Sequence, residues 1–145
     1  MSRGVRLVLW IYIAFNLLIA AALVVRPEFV DAPYLGGEMT PTRRFAWYSV
    51  AGLHVLMVAV TWVAMGLPRA ADRRKLVVLN AAFYLLWDAG AQWLYWGAAI
   101  GMAAADLHTN AGVSTLVGLT LLGAAWRDRD DAHTSEASAG TVRAR

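Results

Sequence analysis

Three stretches of this chain, Leu7–Val25, Phe45–Leu67 and Leu76–Ile100, run for 19, 23 and 25 residues with one carboxylate among them, Asp88. Nothing else in the sequence constrains the fold as strongly. A helix needs about 20 apolar residues to cross the roughly 30 Å of a bilayer's hydrocarbon, and each stretch meets or nearly meets that length. A fourth run, Ala111–Trp126, reaches it when the helix starts near Leu107, with His108 and Asn110 at the membrane interface. Its Ser114, Thr115 and Thr120 are compatible with a buried helix, because hydroxyls bond back to the backbone or across to a neighbour. The expected fold is therefore all-α. It is an integral membrane four-helix bundle with spans near 7–25, 45–67, 76–100 and 107–126, forming one domain over residues 1–126.

Composition agrees. The chain is 59% apolar and 16% charged, against about 45–50% and about 25% for soluble domains. This excludes an ordinary soluble enzyme, a disordered regulator and a nucleic-acid binder. With no cysteine, disulfides, thiolate metal sites and thiol redox chemistry are excluded as well. No zinc motif, phosphate-binding glycine loop or paired haem histidine occurs, so no metal or cofactor is expected. Glu28, Asp31, Glu38, Asp106 and His108 share the first and third loops, but their spacing matches no cation motif and they read as solvated charges or caps.

Basic residues stay on the cytoplasmic side of a membrane. Arg3, Arg6, Arg69, Arg73, Arg74, Lys75, Arg127 and Arg129 fall on one side, and only Arg26, Arg43 and Arg44 on the other. Both termini are therefore expected in the cytoplasm of a cell whose inner or plasma membrane holds a multi-pass protein. Trp10, Trp47, Trp96 and Trp126 lie toward span ends, where amphipathic rings settle. A cleavable signal peptide also fits Met1–Arg6 and the alanines at 20–22. The length of the run, its central Asn16 and the Arg26-Pro27 exit favour a retained span. Residues 127–145 read as a disordered cytoplasmic tail, rich in Ser, Ala and Gly with mixed charge.

An ionisable group at mid-membrane needs a reason, since an Asp there costs roughly 2.5–3.5 kcal/mol on insertion scales. Asp88 is central in its run, and at about 100° per residue Asn80, Tyr84, Gln92 and Tyr95 share its face. His54 is central in the second run, with Trp47 seven positions before it on the same face, and Asn16 is central in the first. Asp88 and His54 are the candidate catalytic pair, able to exchange a proton. Asn16, Trp47, Asn80, Tyr84, Trp87, Gln92 and Tyr95 are the candidate ligand-binding residues. Gly97-x-x-x-Gly101 is a small-residue spacing that suits a homodimer.

The basic N-terminus, the span Trp10-Ile-Tyr-Ile-Ala-Phe-Asn16, the exit Arg26-Pro27-Glu28-Phe29, the Pro68-Arg69 turn and the late His108 resemble the small bacterial four-helix membrane proteins often called DoxX-like. The resemblance implies the four-helix layout over roughly residues 5–126. Members are mostly without assigned activity, so it carries over no functional residue. Three functions fit the polar residues. One is binding or processing of a lipophilic small molecule by proton transfer. The others are an accessory or assembly role with a membrane-protein partner and no chemistry of its own, and a small proton-coupled exporter.

Overall fold

The computed structural model describes the backbone of residues 1–32, 38–96 and 104–143, and the side chains of residues 1–32, 38–94 and 108–128. Every regular element among the described residues is helical.

α1, Arg3–Val25, starts where the Ser2 hydroxyl accepts from the Val5 N–H, satisfying one of the unpaired amides of the first turn. A single turn, α2 (Pro27–Asp31), follows with Pro27 at its first position, where a missing N–H does no harm. α3, Pro41–Gly66, repeats both devices, with Thr40 capping Arg43 and Pro41 opening the helix. It stops because Pro68 disfavours helical geometry at the preceding residue, and Leu67 is extended at ψ 132°. α4, Ala70–Ala82, passes without a break into two wide turns of π type, Phe83–Ala89 and Gln92–Trp96. α5 runs Ala104–Arg143, so helix extends through residues 127–143, where the sequence suggests a disordered tail.

α1 and α3 are each long and apolar enough to cross a membrane. α1 packs on α3 and α5, and α4 packs on α3 and α5, so the four longer helices close into a ring. Leu9, Leu23, Leu121 and Tyr84 are buried inside it. Polar side chains are buried there too, among them Asn16, Thr61, Asn80, Gln92 and Ser114. The outward faces are apolar, and Leu18, Leu86 and Leu94 are 71%, 78% and 77% exposed. A water-soluble bundle would instead carry polar and charged side chains on its outward faces.

Ion pairs tie both ends. At one, buried Asp31 accepts from Arg43 through Nε and Nη2 and from Trp47 Nε1 at 2.8 Å. At the other, Arg73 grips Asp128 through two parallel bonds of 3.0 Å while its Nη1 donates to the Leu67 carbonyl at 2.7 Å. That guanidinium fastens the α3–α4 turn to α5.

Candidate functional site

α1, α3 and α4 meet at Asn16, which is fully buried. Its Nδ2 donates to the Tyr12 carbonyl at 2.9 Å, one turn back along α1. That bond leaves Oδ1 pointing across the bundle, where it accepts from the Tyr84 hydroxyl at 2.8 Å and lies 2.7 Å from His54 Nδ1. An amide oxygen only accepts, so His54 must carry its proton on Nδ1. Reversing the Asn16 amide would set its oxygen against the Tyr12 carbonyl and its nitrogen against the imidazole, so the network itself fixes the orientation. Neutral His54 therefore has Nε2 as a basic lone pair.

Asp88 sits in the first wide turn, half-buried. Gln92 Nε2 donates to its Oδ1 at 2.7 Å, and Ser114 Oγ on α5 donates to its Oδ2 at 2.6 Å. No ion pair to Asp88 occurs among the described residues; its two donors are uncharged. No hydrogen bond joins Asp88 to His54 among the described residues. Asn16 takes the imidazole's bond, and Gln92 and Ser114 take the carboxylate's.

The structure brings Asn16, His54 and Tyr84 together, with Asp88 and Gln92 beside them on the same helix. Asn80 is buried one turn below Tyr84 and donates to Thr61 Oγ1 at 2.8 Å, forming a separate pair between α4 and α3. Trp47 is placed elsewhere, with its indole N–H turned to Asp31 at the end of the bundle. Trp87 is 61% exposed on the outer surface, so it lines no internal site. The Tyr95 side chain and Gly97–Gly101 lie outside the described residues, as does the side chain of Asp106.

Ser114 is the participant that the sequence reading leaves as a helix-compatible hydroxyl. Its position depends on a face of small residues, Ala111, Ser114, Gly118 and Ala125, all buried. A Cβ built on Gly118 would lie 2.5 Å from Leu85 Cγ and 3.3 Å from the Ala81 carbonyl oxygen. α5 thus approaches α4 as closely as the missing side chain permits. That small-residue spacing is the sequence signal for Ser114.

Two buried polar atoms have no hydrogen-bond partner among the described residues, the Tyr12 hydroxyl and Gln92 Oε1. The Tyr12 ring stands edge-on to Tyr84, with centroids 5.8 Å apart. It also lines a groove of about 190 Å³ between α1 and α5, together with Val8, Ile11, Phe15, Leu116 and Leu121. No group of three metal-type ligands occurs among the described residues. Neither a family model, nor a curated protein, nor a solved structure matches the chain.

Proposed function

We propose that this is a multi-pass membrane protein that binds a lipophilic small molecule and exchanges a proton with it through His54, with Asp88 as the anionic partner. The observation that carries this reading is the double acceptance at Asn16 Oδ1, which holds the His54 proton on Nδ1. Nε2 then takes a proton from the bound molecule. The resulting imidazolium is stabilised by the Asn16 oxygen and by the charge of Asp88, as a positioned general base requires. A carboxyl group in hydrocarbon without a counter-ion is poor glue, because amides and hydroxyls bind helices together at lower desolvation cost. The Asn80–Thr61 pair is glue of that ordinary kind.

The membrane setting rests on several features. The outward surface is apolar, and α1 and α3 reach spanning length. Trp10, Trp62 and Trp126 are exposed at the Arg73–Asp128 end, and Phe29 and Phe45 are exposed at the Asp31 end. Aromatic rings of this kind gather at the two interfaces of a bilayer. Four spans, with the Arg73–Asp128 end and both termini cytoplasmic, follow from the eight basic residues on that side. The α1–α5 groove, apolar and backed by Tyr12, suits the lipophilic body of the ligand.

A second reading, an accessory subunit without chemistry, is favoured by how fully Asn16 and Tyr84, and separately Asn80 and Thr61, satisfy each other across helices. Native mass spectrometry of the purified protein separates the two. His54→Gln keeps a donor toward Asn16 but has no base, and Asp88→Asn keeps size and hydrogen bonding but not the acid. The proposal expects wild type to carry a lipophilic molecule that both folded variants lose. Variants that retain the same molecules in the same amount would leave only the accessory role.

A further inference from the structure

From the polar atoms around Asp88 we infer that the ligand is a protonated lipophilic amine, bound through its ammonium by Asp88 and Gln92. The inference rests on the ligand-binding reading above and adds the ligand's chemical class.

Gln92 is buried, at 6% exposed, and spends its amide nitrogen on Asp88. Its Oε1 is left without a donor. That oxygen shares a carbon with the nitrogen bonded to Asp88. Turning the amide over would set Oε1 against a carboxylate oxygen and take the acceptor from the nitrogen. Ser114 has its proton committed to Oδ2. The group consequently presents acceptors only: two carboxylate oxygens with spare lone pairs, and one amide oxygen with none of its own satisfied.

No Lys, Arg or His forms an ion pair with Asp88 among the described residues, whereas Asp31, Asp72 and Asp128 each hold a basic partner. A buried acceptor left unmatched costs free energy, and a buried anion costs more. A neutral alcohol would bring one donor and no charge. An ammonium brings up to three N–H donors and the missing positive charge, so it answers both deficits at once. Asp88 itself is half-buried rather than sealed in the core. The apolar interior around the cluster then selects an amine with a hydrocarbon body over a hydrated metal ion.

The probes are 4-phenylbutylamine and 4-phenylbutanol, equal in body and different in head, titrated into the full chain in lipid nanodiscs and followed by tryptophan fluorescence. The amine is expected to bind about tenfold tighter than the alcohol, the effect of one charge-assisted hydrogen bond. Asp88→Asn should abolish that preference, and Gln92→Leu should reduce it several-fold. Equal binding of the two probes by wild type would overturn the inference without any variant. An amine preference that survives in a folded Asp88→Asn protein would overturn it as well. Either result leaves the ligand-binding reading standing if wild type still carries a molecule that His54→Gln loses. Loss of both would defeat both.

Discussion

Asn16 joins three helical segments, since one carboxamide meets the Tyr12 carbonyl on α1, His54 on α3 and Tyr84 in the first wide turn. Asn16→Leu should therefore leave the Tyr84 hydroxyl and the His54 N–H buried without acceptors. The expected loss is about 1–3 kcal/mol, read from unfolding in mixed micelles. Tyr84→Phe removes one donor and strands no partner, because Asn16 Oδ1 still meets His54. Its cost should be nearer the average membrane hydrogen bond, about 0.6 kcal/mol. Asn16, His54 and Asp88 were legible in the sequence as polar residues at one depth, because hydrocarbon gives each of them few alternatives. Their partners were not legible. Which of three neighbouring groups takes a given lone pair depends on ångström-scale helix offsets that residue spacing does not encode.

Two features of the helices decide how the site is built. The first is the run of wide turns in the third long helix, where the Gly90 N–H reaches back to the Leu85 carbonyl. Turns of this type are rare and concentrate at functional sites. The inward stripe of Asn80, Tyr84 and Gln92 follows from an apolar period and was readable. The widening was not, since no residue pattern announces it. The second is the contact of α5 on α4 through Gly118. Gly118→Ala should force Leu85 aside and destabilise by roughly 1–3 kcal/mol, as overpacking does. It should also push Ser114 away from Asp88 and lower amine binding. Adding Leu85→Ala to it should restore part of the stability, whereas Gly52→Ala, with nothing within 4 Å of the new atom, should be neutral in the same assay. Ser114 escaped the sequence reading for a related reason. Thr115 and Thr120 do bond back to Ala111 and Leu116, each at 2.7 Å, and only the small-residue spacing of Ala111, Ser114 and Gly118 sets the serine apart from them.

At the scale of the whole molecule the two ends are fastened by buried ion pairs, and the middle by hydrogen bonds with no ion pair among the described residues. Asp128→Asn would leave the Arg73 guanidinium buried without its carboxylate. Breaking such a pair from one side costs about 3–5 kcal/mol, so the variant should unfold well before wild type. The direction of insertion is testable because the chain contains no cysteine. Glu38→Cys should react with an impermeant maleimide on intact cells, and Ala71→Cys only after lysis. The apolar runs made the all-helical class the most legible part of the molecule, and two of them fall on helices of spanning length. The assembled bundle is also what holds His54 in its tautomer, because the bond to Asn16 joins residues 38 positions apart on different helices. The most direct test is the ¹⁵N spectrum of the His54 imidazole in lipid at neutral pH. A protonated Nδ1 and a bare Nε2, reverting to the solution mixture in Asn16→Leu, is the predicted result. A proton on Nε2 in the wild-type protein, unmoved by that substitution, would contradict the account.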